Sequence, residues 1–262
     1  MFIDTHCHLT DARFDPDRDT VIANAKKAGI KRIIVPGAGF ASSADALSLA
    51  QSRPDVISPA CGIHPYEAAR NGSIEQFLAS LHPKQIVAVG ECGLDYHLYK
   101  GFDVPGKKDD QKQAFYLHCQ FALKHNLPVI IHCRDAFSDL FDVLDALPLM
   151  PRGVIHCFSG TREDGEKALT RGLYIGIDGN ITYGNKLREI IRTLPVSRIL
   201  LETDSPYLPP VPHRGKRNEP KYIRLIADSV SGLFGLPKKT IEQETTKNAL
   251  AIFFPNRSEM IQ

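Results

Sequence analysis

Eight short runs rich in valine, isoleucine and leucine recur along the chain, each followed by a segment of helical character. They fall at residues 2–6, 32–36, 56–61, 86–91, 129–132, 154–156, 173–177 and 199–202. Runs this short and this apolar suit strands covered on both faces, as in a parallel sheet. The helical segments between them carry readable ends. Ser73 has Gln76 at the capping-box position, and Thr161 opens a helix that Gly172 stops. Asp15 with Pro16, Ser42 or Ser43, Asp109 or Asp110, Asp135, Asn185, Glu219 with Pro220, and Thr240 mark the remaining starts. Eight β-then-α units in 262 residues have the size and order of a (β/α)8 TIM barrel, read here as a single domain over 1–262. An open doubly wound sheet alternates in the same way, but no glycine-rich phosphate loop follows the first strand.

Polar residues collect where these strands end. His6 and His8 follow the first, His64 the third, Glu91 the fourth, His132 the fifth, His156 the sixth and Asp204 the eighth. Alternation on an extended strand puts His6 and His8 on one face, with Asp4 one layer below and Cys7 turned away. The same rule groups Glu91 with Val87 and Val89, and Asp204 with Glu202 and Leu200. One buried histidine or carboxylate is easily satisfied by hydrogen bonds. Six around one centre, His64 set aside, carry a large desolvation cost unless a cation is present. Four histidines and two carboxylates exceed the usual donor set of one zinc and suit two divalent ions sharing a carboxylate.

Other features set limits. The net charge of +2 is too small for a protein that coats nucleic acid, so any nucleic-acid contact is local. No apolar run is long enough to span a membrane, and residues 1–9 do not read as a signal peptide, so the expected home is the cytoplasm. Cys7, Cys92, Cys133 and Cys157 each directly follow a candidate ligand, so alternation turns them outward as inert packing thiols under the helices. Cys61 and Cys119 have no redox or metal spacing. Arg214, Lys216 and Arg217 form a basic cluster ahead of the last barrel helix, a place suited to phosphate. Arg134 reaches a phosphate or braces the ligands, and Tyr96 and Tyr207 either stack a base or pack on loops.

Seven motifs run in order through the chain: Asp4-x-His6-x-His8-Leu9, Gly62-Ile63-His64-Pro65, Gly90-Glu91-Cys92-Gly93-Leu94-Asp95-Tyr96, Leu127-Pro128-Val129-Ile130-Ile131-His132-Cys133-Arg134, His156-Cys157-Phe158-Ser159-Gly160, Glu202-Thr203-Asp204-Ser205-Pro206-Tyr207-Leu208 and Arg214-Gly215-Lys216-Arg217-Asn218-Glu219-Pro220. On these motifs the chain resembles the TatD-related metal-dependent hydrolases, a branch of the amidohydrolase-type barrels. The resemblance implies a divalent-metal-dependent deoxyribonuclease that cleaves phosphodiester bonds from the 3′ end with metal-activated water. It implies one ion held by His6, His8, Glu91 and Asp204 and another by Glu91, His132 and His156, with Glu91 bridging. Glu202 would be an accessory carboxylate behind the metals. Asp204 and Glu91 would be the catalytic pair, Asp204 taking the proton of the attacking water. His64, Arg134, Arg214 and Arg217 would contact substrate, although His64 can also serve as a cap of the turn at Pro65.

The resemblance leaves the metals open among Zn, Mg, Mn, Ni and Co. The expected substrate is DNA, single-stranded or at 3′ ends, acted on by a monomer or weak oligomer. An amide, lactone or ester hydrolase on the same barrel is the alternative. Two positions depart from the family pattern: Tyr66 stands where many members have a second histidine, and His118 where glutamine is frequent.

Overall fold

The computed structural model describes residues 1–68, 73–98 and 108–255. Its strands are β1 (Phe2–Asp4), β2 (Ile30–Pro36), β3 (Ile57–Cys61), β4 (Ala88–Asp95), β5 (Val129–Arg134), β6 (Gly153–Ile155), β7 (Tyr174–Ile177) and β8 (Ile199–Leu201). The helices are α1 (Arg18–Lys27), α2 (Phe40–Ser52), α3 (Ile74–Ser80), α4 (Lys108–His125), α5 (Phe137–Asp145), α6 (Arg162–Thr170), α7 (Asn185–Ile191), α8 (Ile223–Phe234) and α9 (Lys238–Phe253). Each strand pairs in parallel with the next, in chain order. The ring closes through backbone bonds just past β1 and β8. Thr5 N–H donates to Leu201 O (3.2 Å), Asp204 N–H to His6 O (2.8 Å) and His8 N–H to Ser205 O (2.7 Å). The architecture is the (β/α)8 barrel.

Two apolar layers hold it. Ile3, Ile34, Ala60, Ala88, Ile130, Val154 and Leu200 meet inside the barrel, one from each of seven strands, together with Ala249, Ile252 and Phe253 of α9. That helix plugs the end where the strands begin: Thr246 Oγ1 donates to Met1 O (2.8 Å) and Asn248 Nδ2 to Ile199 O (2.8 Å). Phe2, Val35, Val89, Ile131, Ile155 and Leu201 instead face the helices, in a larger cluster. Cys7, Cys61, Cys92, Cys119 and Cys133 belong to that outer cluster, as the packing reading expects, and all six cysteines are free. Cys157 is the exception. Its backbone takes φ +45° just past β6, and its side chain turns into the cavity at the barrel mouth instead of under a helix.

Simple alternation fails at two strands. On β1, Ile3 faces the interior and Thr5 Oγ1 reaches Glu202, so Asp4 points outward and His6 regains the interior only after the strand becomes irregular. Asp4 therefore does not lie beneath His6. On β4, Ala88 is inside and Val89 outside, and the register slips between Val89 and Cys92. The extra residue is a bulge, which turns Glu91 inward out of phase with Ala88.

Ser73 and Thr161 cap their helices, the latter in a full capping box with Asp164. Asp15 does not open α1: Asp11 caps a 3-10 turn at Ala12–Phe14, Asp15 closes that turn, and α1 begins at Arg18. Asp135 does not cap α5, because it sits at φ +53° with its carboxylate 2.6 Å from His97 Nδ1. Residues 96–108, rich in Gly, Lys and aromatics, read from sequence as a loop at the catalytic end of the barrel, and 99–107 of them lie outside the described residues.

Candidate metal centre

The barrel mouth opens into a cavity of about 730 Å³ lined by His8, His64, Glu91, His132, His156 and Asp204, among others. Glu91 is its centre and is almost fully buried. Its two oxygens face different histidines. Oε1 lies 2.8 Å from His156 Nε2, 2.9 Å from His132 Nδ1 and 3.6 Å from His64 Nε2. Oε2 lies 3.4 Å from His6 Nε2 and 3.7 Å from His8 Nε2. Asp204 Oδ1 completes the second set, 3.4 Å from His8 Nε2 and 3.8 Å from His6 Nε2. Within each set the donor atoms converge: the Nε2 atoms of His6 and His8 are 3.1 Å apart, and His132 Nδ1 and His156 Nε2 are 3.2 Å apart.

This donor set fits divalent cations. Imidazole nitrogens and carboxylate oxygens gather in groups whose ligand atoms all lie within 4.8 Å of one another, including His6–His8–Asp204 and His6–Glu91–His156. Without a cation such contacts leave nitrogen facing nitrogen, which neutral imidazoles satisfy only in part. The electrostatics point the same way. Burial alone would raise the Glu91 carboxyl, but the surrounding imidazoles of His156, His6 and His64 hold it well below the usual carboxylate range. For Asp204 burial again acts upward, and His8 and His6 outweigh it, so the carboxylate stays ionised.

Substrate-side residues fall into two groups. His64 caps the turn at Pro65 and also lines the cavity. Its Nδ1 accepts the Tyr66 N–H (3.2 Å) and caps the turn Pro65–Glu67, while its Nε2 faces the cavity. Burial, reinforced by His132, pushes its pKa down to about 3, so the ring is neutral and Nε2 carries the proton. Arg134 and Tyr207 also line the cavity. Arg214 and Arg217 do not. Arg214 lies over the Tyr183 ring at 3.7 Å, and Arg217 grips Asp17 with two bonds of 2.8 and 2.7 Å and reaches Glu219 at 3.3 Å. Arg217 of the basic cluster thus ties the loop after β8 to the start of α1. Tyr96 donates to Asp139 (2.8 Å) and packs there.

Glu202 is wholly buried behind His156, accepting the Cys157 N–H (2.5 Å) with its Oε1 3.6 Å from His156 Nδ1. Asp4 accepts from Thr203 N–H (2.9 Å) and Oγ1 (2.7 Å), and burial raises its pKa to about 8. Asp95 is a site residue that strand-end positions alone do not single out: its Oδ2 lies 2.9 Å from His132 Nε2. The sequence does carry a signal for it, because Asp95 stands an even four residues beyond Glu91 on one strand. Of the two departures from the family pattern, Tyr66 lines the cavity, with its ring centroid 4.8 Å from that of His64. His118 belongs to the wall: its Nε2 accepts the Ile63 N–H (3.1 Å) and its Nδ1 donates to Ala114 O (2.7 Å).

Comparison with known proteins is consistent with this chemistry. Residues 3–254 match the family model described as TatD related DNase. The uncharacterized metal-dependent hydrolase YabD of Bacillus subtilis (strain 168) is 36% identical over 261 residues, covering 97% of this chain and 99% of that protein. A protein of Erwinia billingiae (strain Eb661) named 3′-5′ ssDNA/RNA exonuclease TatD is 37% identical over 260 residues, covering 95% and 98%. The crystal structure of YjjV, a TatD homologue from Escherichia coli K12, superposes with a TM-score of 0.88 at 33% identity, covering 96% of this chain and 97% of that one.

Proposed function

Because the chain belongs to the TatD related DNase family, and is thereby a metal-dependent nuclease that hydrolyses phosphodiester bonds, we propose that it removes nucleotides from the 3′ ends of single-stranded DNA with two divalent ions per subunit. The observation that carries the two-ion reading is Glu91, whose Oε1 faces His132 and His156 while its Oε2 faces His6 and His8. One ion would be held by His6, His8, Asp204 and Glu91, the other by Glu91, His132 and His156. This histidine-rich donor set accommodates Zn, Mn, Co or Ni, and Mg less readily. Bound there, the ions would supply Lewis-acid stabilisation of phosphoryl oxygens and a lowered pKa for water.

The chain's own groups do the rest. Asp204, held ionised, accepts the proton of the attacking water and returns it to the departing 3′ oxygen. His64, neutral with its proton on Nε2, donates to a phosphate oxygen, and Arg134 adds positive charge beside it. Glu202 and Asp4 touch no substrate: one backs His156, the other anchors Thr203 beside Asp204. The cavity is floored by the packed barrel interior, so a chain end enters it more readily than a strand running through, which supports exonuclease action. The amide, lactone or ester alternative is not favoured. No helix among the described residues is long and apolar enough to cross a membrane. The free thiols suit a reducing compartment such as the cytoplasm, and a monomer or weak oligomer would suffice.

The test uses 5′-labelled linear and circular single-stranded DNA. The linear strand should shorten from its 3′ end, the circle should survive, and EDTA should abolish the reaction until metal is restored. Activity after exhaustive chelation would overturn the metal role, and cleavage of the circle would overturn the exonuclease assignment.

A further inference from the structure

The histidines around Glu91 are supported differently from behind. His132 presents Nδ1 to the centre, and its other nitrogen, Nε2, lies 2.9 Å from Asp95 Oδ2. Asp95 is only 1% exposed and is itself held on every side. Its Oδ1 accepts the His97 N–H (2.9 Å). Its backbone is clamped by the side chain of Gln111, a residue of α4 with no exposed surface. Asp95 N–H donates to Gln111 Oε1 (2.9 Å), and Gln111 Nε2 donates to Asp95 O (3.1 Å). Gly93, between Glu91 and Asp95, sits at φ +144°, and a Cβ there would stand 2.0 Å from His132 O, so only glycine lets β4 approach β5 this closely. By contrast, the Nδ1 atoms of His6 and of His156 are both buried with no hydrogen-bond partner among the described residues.

We propose that Asp95, fixed by Gln111, is the positioning residue of His132 in the His132–His156 cation subsite and raises the affinity of that subsite. A carboxylate beside Nε2 keeps the imidazole proton on that nitrogen. The Nδ1 lone pair is then free and aimed at the centre, and the ring cannot rotate away. The proposal rests on the two-ion reading above.

Its test reads metal occupancy and tautomer rather than nuclease activity, so the two can fail separately. The metal-free protein is titrated with Zn²⁺ in a competing chelator buffer, wild type against Asp95→Asn. Wild type should take up two equivalents with distinct affinities. Asp95→Asn should weaken one of the two by about 10–100-fold and leave the other unchanged. Long-range ¹H–¹⁵N spectra of the metal-free protein should show His132 protonated at Nε2 in wild type and no longer so fixed in the variant. To separate positioning from loss of fold, the substitution is repeated on His132→Ala, where it should have no further effect on metal uptake. Two equivalents of unchanged affinity in Asp95→Asn would overturn the proposal. So would an unchanged His132 tautomer, or an equal loss on the His132→Ala background.

Discussion

Ile130 and His132 are neighbours on the inner face of β5, yet one belongs to an apolar floor and the other to a polar crown. The floor joins seven strands and α9 through aliphatic and aromatic contacts. The crown buries imidazoles and carboxylates too: His6 has no exposed surface and Glu91 and His156 have 3% and 4%, while His8 and His132 are partly buried at its rim. Burying Ile130 stabilises the fold directly, by roughly 1.5–3 kcal/mol for a side chain of that kind. Burying the crown costs free energy that only charge pairing or a cation offsets. One barrel thus holds a stabilising end and a destabilising end, joined by the same strands. Substitutions at the two ends should therefore separate cleanly.

The largest expected effect is at the crown. Glu91→Gln keeps the shape but removes the charge that both histidine sets face. Nuclease turnover should fall by about 10³–10⁴-fold, about 4–5.5 kcal/mol of transition-state stabilisation. Saturating metal should raise the stability of wild type by about 2.7 kcal/mol for each ion present at a hundred times its Kd, and most of that increment should vanish in the variant. Calorimetric melts with and without metal measure it. An undiminished increment would mean that the cations bind elsewhere.

Phe253→Ala tests the floor. This side chain is 5% exposed and packs against the strand beginnings, so its loss should cost about 3–4 kcal/mol of stability. The metal-induced increment should stay at its wild-type value from the lower baseline, and kcat below the melting range should hold, because distant sites add independently. A changed increment would show that floor and crown are coupled through the strands.

The same division explains what could be read from the sequence. The eight-unit barrel followed from the spacing of apolar runs, since buried parallel strands and amphipathic helices have distinct periods. The six converging residues followed from their positions at strand ends. What escaped depended on local departures from those periods. The bulge at Gly90–Glu91 and the irregular end of β1 reverse the inward–outward pattern, so Asp4, expected beneath His6, instead holds Thr203. The positive φ of Cys157 turns a thiol expected under a helix into the cavity. Arg217 looked available for phosphate because its partner Asp17 is 200 residues away in the chain. A charge run shows where cations are, but not which carboxylates the fold will bring to them.

His118 lies in the wall between floor and crown and gives the smallest effect, visible only in acid. Its ring has no exposed surface, and its two nitrogens are committed to opposite roles: Nε2 accepts from Ile63 N–H and Nδ1 donates to Ala114 O. Burial pushes its pKa down to about 4 from the ordinary 6.5. Between these values the unfolded chain binds a proton that the folded protein refuses, so stability is lost as pH falls through the window from 6.5 to about 4. The full loss is at most about 3.5 kcal/mol, since each tenfold difference in proton affinity between folded and unfolded chain is worth about 1.4 kcal/mol. In His118→Gln the amide can accept from Ile63 and donate to Ala114 without titrating. Its urea-derived stability should therefore fall less steeply than wild type across that window. Since His118 touches no metal ligand, the difference should be the same with and without metal. If it appears only in the metal-free protein, then the acid sensitivity belongs to His64 and the crown, and the wall is not independent of the site it supports.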